Sequence, residues 1–119
     1  VFAAEYAPYS ELFSRAAAVV HSGGIGTIAQ TLRAGVPSVV VPYAADQPDN
    51  AYRLARLGAS RTIARRDYSA RNVVSALEDI LRHPQYRACA QAASRQILGE
   101  DGLTRACEAL ERHASGELL

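Results

Sequence analysis

The stretch richest in chemistry is Ala18-Val19-Val20-His21-Ser22-Gly23-Gly24-Ile25-Gly26-Thr27. An apolar strand candidate runs into a cluster of glycines and then directly into a helical pattern. Glycine permits positive φ and lets a ligand approach the main chain closely. The helix that follows presents free N–H groups and the positive end of its dipole. Thr27 places a hydroxyl in the first turn. Together these form an anion site, and phosphate is the usual anion. The same residues also fit a tight strand-to-helix turn that binds nothing. A third reading is the dinucleotide fingerprint, because Gly24-Ile25-Gly26-Thr27-Ile28-Ala29 satisfies G-x-G-x-x-A and Asp46 lies at about the right distance to meet a ribose. In a nicotinamide-binding domain, however, the acidic residue stands at the tip of the second strand. Here Pro42-Tyr43-Ala44-Ala45 intervenes. Asp46 belongs instead to the polar loop Asp46-Gln47-Pro48-Asp49-Asn50, which suits a hydroxyl-rich group beyond the phosphates.

Other reactive side chains offer less. Cys89 and Cys107 are the only cysteines. They lack metal-ligand spacing and sit on helical patterns among alanines, so they read as small core residues. Unpaired cysteines suit a reducing cytoplasm. His83 and His113 fall at a helix start and on the tail, where they read as surface residues. No residue is a credible general base, and neither metal nor cofactor is expected.

The elements that must position the loop alternate. Val1 to Tyr6 reads as a strand, Tyr9 to Ala16 as a short helix, and Ala17 to His21 as a buried strand. Ile25 to Ala34 is a helix closed by Gly35. Ser38 to Val41 is a β-branched strand stopped by Pro42. Pro48 to Leu57 is a helix ending at Gly58, where a left-handed cap is easy. Ser60 to Ala64 is the last strand. Short apolar strands separated by helices predict a parallel sheet covered on both faces. The final third is helical. Ser69 can N-cap a helix with the stripe Val73, Leu77, Ile80 and Leu81. Pro84 suits the first turn of the next helix, and Gly99 breaks it. A last helix carries Leu103, Ala106, Cys107, Leu110 and Ala114 on one face. The fold class is α/β, a Rossmann-like parallel sheet with flanking helices and a helical C-terminal tail.

At 119 residues the chain is one domain's worth. Its formal net charge is +1, and its basic residues, all arginine, are scattered. That is not the basic stripe a nucleic acid backbone needs, so nucleic acid is not expected as a partner. No apolar run approaches the ~20 residues of a membrane helix. The chain begins at Val1 with no initiator methionine and no signal-peptide pattern. An upstream segment is therefore expected.

Read together, HSGGIGT, Gln30, RAGVP (Arg33 to Pro37) and ADQPDNAYRLARLG (Ala45 to Gly58) closely resemble the C-terminal domain of GT-B fold nucleotide-sugar glycosyltransferases. The nearest look is the macrolide, glycopeptide and sterol-type branch. The resemblance covers Tyr6 to Ala64 well and implies that residues 1–119 form the donor-binding half of a two-domain enzyme. By the same resemblance, Tyr6 would stack on the donor base and the Ala7 backbone would meet its edge, with Tyr9 departing from the usual Gln. Ser22, Gly23, Gly24, Gly26 and Thr27 would hold the diphosphate, Gln30 the ribose, and Asp46 and Gln47 the sugar. Tyr6 also fits a core aromatic, and Asp46 also fits a helix N-cap. Relatives usually carry histidine at the position of Ser22. Here His21 stands one residue earlier, on the strand, where adjacent side chains point to opposite faces. His21 therefore does not take over that role, and it also fits a partly buried strand histidine.

The resemblance further implies inverting, metal-free transfer of a hexose from a uridine or thymidine diphosphate sugar to a small hydroxylated acceptor. The acceptor pocket and the base would lie in another domain. Two other classes stay open, a non-catalytic nucleotide-binding module and an NAD(P)-binding oxidoreductase domain.

Overall fold

The computed structural model describes residues 1–116. The elements run α1 (Tyr9–Leu12), a 3-10 turn (Phe13–Arg15), β1 (Val19–His21), α2 (Ile25–Arg33), β2 (Ser38–Val40), α3 (Gln47–Arg56) and β3 (Ser60–Thr62). A second 3-10 turn (Arg65–Asp67) leads to α4 (Ala70–Arg82), α5 (Gln85–Leu98) and α6 (Gly102–Ala114). The three strands form one parallel sheet in the order β1-β2-β3. Val20 registers with Val39, and Val39 with Arg61.

Strand alternation builds the core. In β2, Val40 points to one face, where Ile28 and Leu32 of α2, Ala51 and Leu54 of α3 and Ala90 of α5 close around it. Its neighbours Val39 and Val41 point to the other face and meet Ile63 and the α4 residues Ala76 and Ile80. Val39 and Val40 have no exposed surface, and burying each side chain contributes about 1.5–3 kcal/mol. A central strand buried at every position is the mark of a sheet covered on both sides.

The predicted caps form. Ser69 accepts from the Asn72 amide and starts α4. Gly35 and Gly58 take φ of 66° and 75°, in the left-handed region that glycine tolerates. At Gly58 a Cβ would also press on Cys89 Sγ at 3.0 Å.

Five expectations need correction. Val1 to Tyr6 is not a strand: it is exposed, and neither it nor any other described segment pairs with the outer edge of β1. For the same reason β1 is an edge strand and not a buried one, with Val20 42% exposed. In α4 the expected stripe holds at Val73, Leu77 and Ile80, which pack on the core with Ala76, but Leu81 faces outward. The apolar stripe of α6 is not buried against any described element: Leu103 and Leu110 are exposed and no α6 residue is buried. Cys107 is therefore exposed, whereas Cys89 packs against the core.

Candidate donor-binding site

The glycine loop lies at the carboxyl end of β1. Gly23 has φ 90°, and a Cβ there would sit 3.0 Å from Val40 Cγ1 and 3.3 Å from the Gln47 carbonyl. Glycine at this position is required by the fold. Gly24 and Gly26 differ, because a Cβ on either meets nothing within 4 Å. Neither has a positive φ. Nothing inside the chain demands glycine at these two positions; the space above their backbone is open. The first bond of α2 runs from the Ile28 amide to the Gly24 carbonyl at 3.0 Å. The amides of Ile25, Gly26 and Thr27 are thus left without an intrahelical partner, at the positive end of a nine-residue helix.

His21 serves the loop from below. Its Nδ1 accepts the Gly23 amide at 3.0 Å, which fixes the neutral tautomer with the proton on Nε2. Nε2 is buried and has no partner. Burial lowers the imidazole from its ordinary 6.5 to about 4, because the charged form would lose its hydration. β1 ends at His21, so Ser22 already belongs to the loop and strict strand alternation does not govern its direction. Ser22 is exposed and lines a recess of about 190 Å³ with Val20, His21, Val41, Tyr43 and Tyr68.

One turn along α2 from Thr27, Gln30 borders a different hollow, of about 480 Å³, shared with Tyr6, Ala7 and Tyr9. Tyr6 is 82% exposed and so is not a core aromatic. Tyr9 stacks on Phe13 with ring centroids 4.6 Å apart, which ties it to its own helical turn. The structure thus brings Tyr6, Ala7 and Gln30 together, although 23 residues separate Ala7 from Gln30.

The polar loop after β2 meets the glycine loop from the other side. Asn50 Nδ2 donates to the Gly23 carbonyl at 3.1 Å and to Asp46 Oδ2 at 2.8 Å. Asp46 occupies the N-cap position of α3, but its backbone is helical and its side chain makes no capping bond. The capping alternative therefore does not account for it. Gln47 Oε1 accepts from the amides of Tyr43 at 2.9 Å and Ala44 at 3.3 Å. Its carbonyl oxygen is thereby committed to shaping the loop, leaving the amide N–H groups to meet a ligand. Ala45, between these residues, has φ 56°. A non-glycine residue held there stores on the order of 1–2 kcal/mol of strain. Arg65 lies over the Tyr43 ring, 4.6 Å from its centroid.

Two contributors, Asn50 and the Nδ1 of His21, lie outside what the residue types predict. Asn50 carried a signal: it lies four residues after Asp46, the spacing that stacks side chains on a helix face. The bond from the Gly23 amide to His21 depends on how the loop turns, and no pattern of residue types encodes that. No carboxylate stands at the tip of β2, which ends in Val40 followed by Val41 and Pro42. This disfavours the dinucleotide reading. Among the described residues no group of three His, Cys, Asp or Glu could hold a metal ion. No described helix is long and apolar enough to cross a membrane.

The parallel sheet and the open helix start at the end of β1 make this a Rossmann-like α/β domain. Residues 1–111 match the family described as erythromycin biosynthesis protein CIII-like, C-terminal domain, and the chain belongs to that family of GT-B glycosyltransferase C-terminal domains. It is 38% identical over 109 residues to the O-mycaminosyltylonolide 6-deoxyallosyltransferase of Streptomyces fradiae, covering 91% of this chain and 26% of that protein. It is 35% identical over 121 residues to the sterol 3-beta-glucosyltransferase UGT80B1 of Arabidopsis thaliana, covering 99% of this chain and 19% of that protein. Among solved structures, the glycosyltransferase VinC in complex with DTDP superposes with a TM-score of 0.88 at 28% identity, over 94% of this chain and 28% of that one. The kitacinnamycin glycotransferase gives 0.82 at 30% identity, over 90% and 28%. The chain therefore spans about a quarter or less of the length of these relatives.

Proposed function

We propose that this chain, over residues 1–119, is the donor-binding half of a glycosyltransferase that moves a hexose, with inversion, from a uridine or thymidine diphosphate sugar to a small hydroxylated acceptor. The observation that carries the reading is the open backbone at Gly24 and Gly26, beside the unpartnered amides of Ile25, Gly26 and Thr27. A diphosphate placed there meets several N–H donors and the helix dipole. These groups also stabilise the negative charge that grows on the departing nucleotide diphosphate, an electrostatic contribution largest where charge develops.

The neighbouring groups divide the rest of the donor. Tyr6 and the Ala7 backbone take the base, and Gln30, sharing their hollow, takes the ribose. Ser22 and Thr27 add hydroxyls to the diphosphate site with Gly23, Gly24 and Gly26. Asp46 and the free amide of Gln47 take sugar hydroxyls, which need both acceptors and donors. The carboxylate and the loop backbone suffice for this without a cofactor or a metal. The acceptor binds through another domain, which supplies the base, and the enzyme works in the cytoplasm, in secondary metabolism. The complex of VinC with DTDP and that of the spinosyn rhamnosyltransferase SpnG with thymidine diphosphate support the reading.

Calorimetric titration of the chain with uridine diphosphate, thymidine diphosphate and NAD tests it. Binding of a nucleoside diphosphate, weakened by Thr27→Val, is the expected result. Binding of NAD alone, or of none of the three, would remove the donor-binding reading and leave a dinucleotide domain or a module without nucleotide.

A further inference from the structure

Two loops in this chain, 23 residues apart at Gly23 and Asp46, share one side chain. Asn50 stands in the first turn of α3 and is half-buried. Its single amide nitrogen points one N–H at the Gly23 carbonyl and the other at the Asp46 carboxylate, at 3.1 and 2.8 Å. An amide nitrogen has two protons to donate, and both are used. The acceptors differ in kind. One is the peptide carbonyl of the residue whose φ of 90° shapes the glycine loop. The other is one oxygen of a carboxylate that no capping bond restrains.

Several features make this a device for ordering the site and not a generic surface bond. The Gly23 amide is already fixed by His21 Nδ1 at 3.0 Å. With Asn50 on its carbonyl, Gly23 is held at both of its backbone polar groups. The peptide plane that leads into Gly24 is thereby set, and so is the direction of the backbone that enters α2. Asp46 follows Ala45, which is held at φ 56°, and is itself exposed. Without Asn50 its carboxylate is free to rotate. With Asn50, Oδ2 is committed and the orientation of the carboxylate is set.

We infer that Asn50 is a positioning residue that couples the two ends of the donor site, orienting the glycine loop for the diphosphate and the Asp46 carboxylate for the sugar. This rests on the donor-binding reading above. Both N–H groups of the Asn50 amide are taken by Gly23 and Asp46, so it acts through these two residues. Its loss then has two separable parts: the part through Gly23 weakens every ligand that carries the diphosphate, and the part through Asp46 weakens only ligands that carry the sugar as well.

The test is a binding cycle on the whole chain. Wild type, Asn50→Leu, Asp46→Ala and the double variant are titrated with uridine and thymidine diphosphates and with the corresponding glucose nucleotides. Leu keeps the branched heavy-atom skeleton of Asn, with more bulk, and removes the amide; should it not fold, Asn50→Asp keeps the shape and removes the donors. A lost hydrogen bond of ordinary strength is worth about a fivefold change. Asn50→Leu is expected to weaken the bare diphosphates about fivefold and the sugar nucleotides by about a further fivefold. In the Asp46→Ala background that further loss should vanish, while the loss for bare diphosphates persists. Wild-type affinities in Asn50→Leu, or the same loss for sugar nucleotides in both backgrounds, would overturn the proposal. Should wild type bind no nucleotide, the donor-binding reading fails, and the ligand-free chain decides about Asn50. Altered amide shifts and faster exchange at Gly23, Gly24 and Asp46, with an unchanged melting temperature, then support positioning, and unchanged spectra overturn it.

Discussion

His21 holds the amide of Gly23 with a ring nitrogen, at 3.0 Å, and is thereby kept in one tautomer with its other nitrogen buried and unpartnered. A histidine so placed titrates far below its ordinary range, at about 4 against 6.5. Between these values the unfolded chain takes up a proton that the folded chain refuses. Stability therefore falls as pH is lowered through that window and is insensitive to His21 above it. Asp79 and Asp101 are held below the ordinary carboxylate range, so their own losses come at lower pH. His21→Asn keeps an acceptor near the position of Nδ1 and abolishes the titration. Urea midpoints at pH 7 and pH 5 should differ clearly for wild type and much less for the variant. Equal differences would mean that His21 is hydrated in the folded chain.

Two glycines a helical turn apart predict opposite results on stability. Gly23→Ala places a Cβ 3.0 Å from Val40 Cγ1 in a left-handed backbone. It should cost about 1–3 kcal/mol. Gly26→Ala lies inside α2 with open space around it. It should stabilise the fold by about 0.5–1 kcal/mol, the ordinary gain of Ala over Gly in a helix. The methyl then projects into the space assigned to the diphosphate, so nucleoside diphosphate binding should weaken as the melting temperature rises. A more stable Gly26→Ala that binds diphosphate as well as wild type would show that the ligand does not approach the backbone there.

Strand and helix placement was legible because β2 and its neighbours obey local rules. Val39 to Val41 is a β-branched, apolar run, and Gly35 and Gly58 close the helices that flank it. What failed depended on neighbours that the sequence pattern presumes. Val1 to Tyr6 has strand character but pairs with no described strand, and the stripe of α6 is not buried against any described element. In the site, residue types pointed to the glycine loop, Asp46 and Gln47. They could not show that Gln47 turns its carbonyl oxygen back onto Tyr43 and Ala44, because that bond follows from the left-handed Ala45.

Thr27→Val keeps the shape of the first turn of α2 and removes its hydroxyl. A hydrogen bond to a charged group contributes about 1.5–3 kcal/mol. Nucleoside diphosphate affinity should fall by about 10- to 150-fold, with little change in stability because Thr27 is only partly buried. Unchanged affinity would place the diphosphate away from this turn.

Ser22→His places an imidazole at the position where the resemblance leads one to expect it. Ser22 is exposed beside a recess lined by Tyr43 and Tyr68, so the larger side chain has room. An exposed imidazole is charged below about pH 6.5, and a charged donor bonds a phosphate more strongly than a hydroxyl does. Diphosphate binding should tighten, most clearly at pH 6 and below. An equal or poorer affinity across pH would show that residue 22 points away from the diphosphate.

The chain by itself should bind donor and transfer nothing. The three histidines, the usual candidates for a general base at neutral pH, are placed against that role. His21 is buried under the loop with its pKa lowered. His83 closes α4 and pairs with Asp79 at 3.0 Å. Because α4 runs back across a parallel sheet, its end lies at the opposite edge from the glycine loop. His113 sits on α6, of which no residue is buried. Asp46 itself is exposed, so nothing around it orients an acceptor in a closed site, and orientation alone is worth about 7–11 kcal/mol of barrier. Incubating the chain with uridine and thymidine diphosphate glucose and a panel of phenolic and macrolide acceptors should give no glycoside. Adding a domain that carries a base and an acceptor pocket should both start transfer and tighten donor binding, since the open backbone at Gly24 and Gly26 would then be closed off from water. Transfer by the chain alone at an enzymatic rate would place the base among the residues described here, with Asp46 as the first to replace.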